Sequence, residues 1–112
     1  MARNYAEQLV DTLEKQGVER IYGLVGDSLN PIVDAVRRSS IEWIHVRNEE
    51  AAAFAAEADS LTTGKLAVCA ASCGPGNTHL IQGHKCARHP AFLGCQLAVL
   101  HSYVPLIIIL NS

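Results

Sequence analysis

Two adjacent carboxylates are the residues of this chain best placed to do chemistry. Glu49 and Glu50 follow a short apolar stretch, 43–46, and begin an alanine-rich stretch that ends near Leu61. Because alanine favours helix, the carboxylates stand where a strand passes into a helix, which is where open parallel sheets place their ligands. This junction is therefore the best candidate for a site in the chain.

The same carboxylates also have a purely structural explanation. Asn48 is a good helix cap, and acidic residues in the first turn of a helix are stabilised by the positive end of its dipole. On spacing alone this explanation is favoured, since charged first turns are common.

The hydrophobic pattern predicts the elements that would position this junction. A first helix is indicated by apolar residues at helical spacing, and Gly17 follows it as a left-handed cap. Asp27 or Ser28 is predicted to cap the second helix, which carries Pro31 in its first turn. The predicted elements are a helix over 6–13, a strand over 20–25, a helix to Arg38, a strand over 41–46, the alanine helix, a strand over 65–71 and a helix beginning over 78–83.

This alternation of helices with continuous apolar strands predicts the α/β class, a parallel sheet with helices on both faces. The three turns over 26–28, 47–50 and 72–77 should then emerge together at the carboxyl edge of the sheet. Beyond residue 83 the pattern weakens. It indicates a loop, a short helix over 96–101 and a fourth strand over 104–110.

Composition excludes several classes of function. The 112 residues suit one domain, and a net charge of −2 offers no basic field for nucleic acid or anionic lipid. Residues 1–7 lack the apolar core of a secretory signal, and the longest apolar run, 104–110, is far shorter than the ~20 residues that span a bilayer. The chain is therefore expected to be cytoplasmic, without membrane contact.

All four cysteines and four of the five histidines are scattered along the second half of the chain. The cysteines form no C-x-x-C pair and are expected to stay reduced as small hydrophobic residues. A zinc site is disfavoured because only Cys86 and His89 approach the spacing of a ligand pair. The residues that would have to supply such a site are Cys73, His79, His84, Cys86, His89, Cys95 and His101.

Three motifs, over 21–30, 47–56 and 67–77, resemble the start of the thiamine-diphosphate-dependent pyruvate oxidases. The resemblance is nearest to bacterial pyruvate dehydrogenases that reduce quinone, and acetolactate synthases share the pattern less closely. It implies that residues 1–83 are the N-terminal part of a pyrimidine-binding domain, 84–103 a divergent insertion or replaced segment, and 104–112 a further strand and the C-terminus.

The resemblance also implies roles for residues in the three turns. Glu49 would be the catalytic glutamate, hydrogen-bonded to a nitrogen of the cofactor's pyrimidine ring, while Glu50 is expected to be solvated. Asn48 stands where many relatives have histidine, a change that leaves the carboxylate intact. The implied cofactor-binding residues are Gly26, Asp27 and Ser28 on the substrate side, Glu49, and Gly74, Pro75, Gly76 and Asn77 against the ring.

The implied activity is oxidative decarboxylation of pyruvate, a small 2-oxo acid, to acetate and CO2. In that family magnesium, the diphosphate and FAD are bound by further domains, so the expected partner is a second copy in a homo-oligomer or a full-length subunit that supplies the diphosphate-binding domain. The isolated chain is expected to be inactive. The alternative is a non-catalytic association module that pairs with itself or with full-length subunits.

Overall fold

A computed structural model of the chain describes residues 4–72, 79–80, 96–98 and 106–110. Side-chain burial is described for 4–72 and 79–80. The elements are α1 (Tyr5–Lys15), β1 (Arg20–Gly23), a 3-10 turn (Asp27–Leu29), α2 (Asn30–Arg37), β2 (Glu42–His45), α3 (Glu49–Thr63), β3 (Ala67–Ala71), β4 (Gln96–Ala98) and β5 (Leu106–Leu110). No helix within these ranges is long and apolar enough to cross a membrane.

The strands form one sheet in the order β2-β1-β3-β5-β4. β1 pairs in parallel with both β2 and β3, so that Gly23 stands opposite His45 on one side and Ala70 on the other. These three strands confirm the predicted parallel α/β core. Because β1 is flanked on both sides, the turn that follows it emerges at the middle of the carboxyl edge of the parallel strands.

Helices cover both faces of the parallel strands, as predicted. One face packs Ile21 and Val68 against α1 and α2, which contribute the buried residues Ala6, Val10, Leu13, Ile32, Ala35 and Val36. The other face packs Cys69 and Ala71 against the buried alanines of α3 and against Leu80. All five residues of β3 are buried, and alternate residues of the strand belong to the two different cores.

The remaining two strands depart from the sequence prediction. β5 lies within the predicted strand over 104–110, but it runs antiparallel to β3 and makes the sheet mixed. Residues 96–98 form a strand antiparallel to β5, so the short helix predicted over 96–101 is wrong. The register with β5, from Gln96 opposite Ile109 to Ala98 opposite Ile107, gives both segments hydrogen-bonding partners that an unpaired strand would lack.

The helix ends follow the sequence in α1 and α3 and not in α2. Gly17, at φ +85°, takes the left-handed conformation predicted for it after α1, and Gly64, at φ +70°, does the same after α3. The predicted cap of α2 by Asp27 or Ser28 is wrong. The 3-10 turn runs directly into α2, so the N-cap position of α2 falls on Leu29. This residue is fully buried and has no side-chain acceptor.

The last residue of β1 is in close contact with an aromatic ring. A Cβ built on Gly23 would lie 2.6 Å from Cζ2 of Trp43 and 2.8 Å from the carbonyl oxygen of Ala70. Glycine is therefore required here for space: the indole covers the position where a side chain would stand. Trp43 lies on β2, opposite Ile21 in the register.

Candidate functional site

The carboxyl ends of the three parallel strands converge as the sequence predicts. β1 leads into the turn that contains Gly26, β2 leads into the start of α3, and β3 leads into Ser72. The backbone N–H of Val46 donates to the carbonyl of Gly23 at 3.1 Å, so pairing between the first two strands continues one residue past β2. The junction before Glu49 is thereby tied to the central strand.

The first and third of these turns touch each other directly. The hydroxyl oxygens of Ser28 and Ser72 are hydrogen-bonded at 2.8 Å. A Cβ built on Gly26 would lie 2.5 Å from both Cβ and Oγ of Ser72. Since Gly26 has an extended backbone, φ −168°, it is required for this close approach and not for an unusual conformation.

Glu49 is the first residue of α3, and its side chain is partly buried at the edge where the turns meet. The side chain of Asn48 caps the helix by accepting from the backbone N–H of Glu50 at 2.7 Å, as predicted. The Glu49 side chain thus stands in the first turn of α3, where backbone N–H groups of the helix have no partner within the helix.

Glu50 connects the second turn to the segment after the third. Its Oε1 lies 4.0 Å from Nδ1 of His79, and both side chains are about half exposed. The two groups attract each other only when the imidazole is protonated. Their proximity shows that the start of α3 and the helical residues 79–80 border the same edge of the sheet.

The structure describes the positions of four of the predicted site residues. Gly26, Asp27, Ser28 and Glu49 lie along this edge, with Asp27 exposed in the 3-10 turn. Ser72 was not predicted as a site residue, although the sequence carried a signal for it as the first polar residue after the apolar strand β3. The predicted residues Gly74, Pro75, Gly76 and Asn77 lie outside the described residues.

Metal ligation has no support in the part of the chain that the structure describes. There, no group of three His, Cys, Asp or Glu side chains is arranged to hold an ion. Of the scattered histidines and cysteines weighed as zinc ligands, only His79 falls within the described ranges. Cys69, which precedes that set, is fully buried in the sheet, as expected of a small hydrophobic residue.

The second half of α3 is anchored to β1 by a charged contact. Both carboxylate oxygens of Asp59 accept from Nη1 of Arg20, at 3.1 and 3.2 Å, and the hydroxyl of Tyr22 donates to the same carboxylate at 3.1 Å. The hydrogen bond to Asp59 raises the pKa of the Arg20 guanidinium. Partial burial, and then the bond to Asp59, raise the pKa of the Tyr22 hydroxyl.

The face of α3 that points away from the sheet is partly apolar. Phe54 is 46% exposed and Leu61 57% exposed, and Ala51 and Ala58 are exposed beside them. At spacings of three and four residues these four side chains form one stripe along the helix, called the α3 stripe below.

A groove of about 390 Å³ lies at the opposite end of the parallel strands. It is lined by residues of α1, by Ala35 of α2 and by the segment 38–40 that precedes β2. Arg38 is engaged there by Glu7 at 2.8 Å and by Asp34 at 3.0 Å. The backbone N–H and hydroxyl of Ser40 both donate to Glu14, and these bonds lower the pKa of the Glu14 carboxyl. The polar side chains of Arg38, Glu14 and Ser40 in the groove are therefore engaged with other residues of the protein.

Comparison with known proteins agrees with this geometry. Residues 3–88 match the family model of the thiamine pyrophosphate enzyme N-terminal TPP binding domain. The pyruvate oxidase of Lactiplantibacillus plantarum is 48% identical over 82 residues, which are 71% of this chain and 14% of that protein. The large subunit of acetolactate synthase isozyme 2 of Escherichia coli is 40% identical over 80 residues, 71% of this chain and 15% of that protein.

A further relative, an uncharacterized 42.6 kDa protein of Pseudomonas amyloderamosa, is 63% identical over 79 residues, 70% of this chain and 20% of that protein. The chain thus spans a fifth or less of each of these three relatives.

Proposed function

This chain belongs to the thiamine pyrophosphate enzymes, through their N-terminal TPP-binding domain, and on that premise we propose that it supplies the pyrimidine-binding half of a pyruvate-oxidising site. The observation that carries the proposal is the position of Glu49. Glu49 is the first residue of α3, at the carboxyl edge of the parallel strands, and two turns at that edge pack together through Gly26 and the hydroxyl pair of Ser28 and Ser72.

The residues at this edge fit a pyrimidine ring. A ring nitrogen needs a partner that can accept and donate a proton, and a partly buried carboxylate at a helix start is such a group. When bound, thiamine diphosphate supplies the electron sink that accepts the electron pair left when a 2-oxo acid loses CO2. Glu49 would hold and transfer the proton at the ring nitrogen. Gly74, Pro75, Gly76 and Asn77 would lie against the ring, as the resemblance implies.

Gly26, Asp27 and Ser28 would border the substrate side of the same crevice. The hydrogen bond between the hydroxyls of Ser28 and Ser72 joins the first and third turns, and it would hold this side of the crevice in one arrangement. The exposed carboxylate of Asp27 stays available to solvent and to a small polar substrate.

The finer activity proposed is the oxidative decarboxylation of pyruvate to acetate and CO2. The identity to pyruvate oxidase supports pyruvate, whereas the identity to acetolactate synthases supports only the wider class of reaction. We expect magnesium, the diphosphate and FAD to be bound by polypeptide outside the 112 residues of this chain.

A second subunit would complete the site, and the α3 stripe supports such an association. Phe54 and Leu61 leave apolar surface in water that a partner surface would cover. A full-length subunit that carries the diphosphate-binding domain would complete the site, whereas a copy of this chain would pair with it without supplying that domain. The same stripe supports the alternative function, a non-catalytic module that only associates.

Complementation distinguishes the two functions. The chain is mixed with a separately expressed diphosphate-binding domain, thiamine diphosphate, magnesium and FAD, and pyruvate consumption is followed. The proposed function predicts activity that falls by roughly 10²- to 10⁴-fold in Glu49→Gln. Glu50→Gln is the matched control, because its side chain stands one residue away and is about half exposed, and it should retain activity.

Two results would contradict the catalytic proposal. One is equal activity of the Glu49→Gln variant and the unchanged chain. The other is inhibition of intact subunits by the chain with no activity restored in any mixture, which is the outcome that the association module predicts.

A further inference from the structure

The face of α3 that meets the sheet is unusually smooth. Its buried residues are Ala52, Ala53, Ala56 and Ser60, each at most 1% exposed. Interdigitating large side chains normally give a helix a single position on a sheet, and methyl groups interdigitate little. Packing alone therefore resists rotation and sliding of α3 less than a face of leucines would.

One specific contact on this helix does resist such motion. The Asp59 carboxylate is 12% exposed and receives three hydrogen bonds, two from Arg20 and one from Tyr22. Arg20 and Tyr22 are two residues apart on β1, so both side chains project from the same face of that strand. Several bonds from one strand face to one carboxylate define both the rotation and the axial position of the helix.

The position set at Asp59 is transmitted to Glu49. An α-helix is stiff along its axis, and ten residues correspond to about 15 Å of helix. At its other end α3 is held by the short connection from β2, where Val46 bonds to Gly23. That connection fixes where the helix starts, while Asp59 fixes its direction and rotation. β1 also leads into the turn of Gly26, so the contact joins the two elements that carry the site.

We propose that Asp59 is a positioning residue, which through Arg20 and Tyr22 orients α3 so that Glu49 faces the pyrimidine ring of the cofactor. The part of this inference that concerns the ring rests on the proposed function. The part that concerns the orientation of α3 does not.

The first experiment measures orientation without cofactor. Backbone amide NMR spectra of the full chain are compared for the unchanged protein, Asp59→Ala and Asp59→Asn. We expect the signals of residues 49–53 to shift in Asp59→Ala while those of α1 stay in place. Asp59→Asn keeps a carbonyl acceptor for Arg20 and Tyr22, so its shifts should be smaller and in the same direction.

The matched control removes a carboxylate from α2 and leaves α3 and its partners on β1 alone. Asp34 pairs with Arg37 and Arg38, which take no part in the contact at Asp59. Asp34→Asn should leave the signals of 49–53 unchanged. Unmoved signals in Asp59→Ala, or equal shifts in Asp34→Asn, would overturn the inference. Should Asp59→Ala not fold, Asp59→Asn alone decides by the same comparison.

The second experiment uses the complemented site. A misplacement of about 1 Å costs on the order of a hundredfold in rate, so Asp59→Ala should lower kcat by roughly ten- to hundredfold. The KM for pyruvate should stay within about threefold, because Asp59 lies ten residues along α3 from Glu49, about 15 Å of helix. Asp59→Asn should recover part of kcat. If Asp59→Ala instead lowers only the fraction of folded protein and leaves kcat per folded molecule unchanged, the role of Asp59 is merely structural.

The outcomes separate this inference from the proposed function. If Glu49→Gln is fully active, the proposed function fails, while the NMR comparison still judges the orientation of α3. If Glu49→Gln is inactive and the signals of 49–53 do not shift in Asp59→Ala, the positioning role of Asp59 is wrong while the proposed function stands.

Discussion

The contact between the first and third turns allows a direct test of the edge geometry. In Gly26→Ala the new Cβ would stand 2.5 Å from Cβ and Oγ of Ser72. Ordinary contacts between carbon atoms lie at about 3.5–4.0 Å, so one turn has to retreat by about 1 Å. Overpacking of this kind costs about 1–3 kcal/mol. The retreat also breaks the hydrogen bond between Ser28 and Ser72, which contributes about 1 kcal/mol more.

We therefore expect Gly26→Ala to lower the free energy of unfolding by about 2–4 kcal/mol. Equilibrium unfolding in urea, followed by circular dichroism, measures this loss. Because the clash is with the side chain of Ser72, Ser72→Gly should relieve it. The double variant Gly26→Ala/Ser72→Gly should then be more stable than the sum of the two single losses predicts, by about 1–3 kcal/mol.

The matched control is Gly64→Ala. Gly64 has φ +70° and no atom within 4 Å of its Cβ position, so alanine there costs about 1–2 kcal/mol of backbone strain and meets no neighbour. Its loss should add to that of Ser72→Gly without coupling. A coupling energy below about 0.5 kcal/mol between Gly26→Ala and Ser72→Gly would refute the direct contact.

Three further predictions concern the elements that carry the edge. Asn48→Ala removes the cap of α3 and should cost about 1 kcal/mol of unfolding free energy in urea, whereas Asn48→Asp, which keeps the acceptor, should cost less. Leu80→Ala empties a fully buried position against α3 and should cost about 2–5 kcal/mol by the same measurement; a loss below about 1 kcal/mol would contradict its burial. Hydrogen bonds from Ser40 lower the pKa of Glu14 in the folded chain, so their stabilisation is present above the unfolded pKa and is lost as pH falls through the folded one. Between about pH 5 and pH 3 the Tm of Glu14→Gln should therefore fall less than the Tm of the unchanged chain, as measured by thermal unfolding. Curves of Tm against pH that run parallel for the two proteins would contradict this.

The parallel core could be predicted because its signals are local. Continuous apolar runs mark β1 and β3, and the alanine run marks α3. Gly17 marks the end of α1, since few other residues adopt φ +85°. Once the strands are parallel, the convergence of their carboxyl ends follows from topology, and the edge position of Glu49 with it.

The remaining features depend on contacts between distant residues. The direction of β5 is not encoded in the apolar run that marks it, because parallel and antiparallel strands look alike in sequence. The three residues of β4 are too few to show a period, and they form a strand because β5 offers a free edge. The bond between Arg20 and Asp59 joins residues 39 positions apart, and no local pattern announces it.

The indole that covers Gly23 gives this chain a built-in optical reporter. Trp43 is the single tryptophan of the sequence, and within the described residues its Nε1 is buried without a hydrogen-bond partner. Indole emission shifts to longer wavelength when water or a polar group reaches the ring. Any event that separates β2 from the end of the central strand should therefore change the wavelength and intensity of the emission. Tryptophan fluorescence of the unlabelled protein would follow such an event in real time.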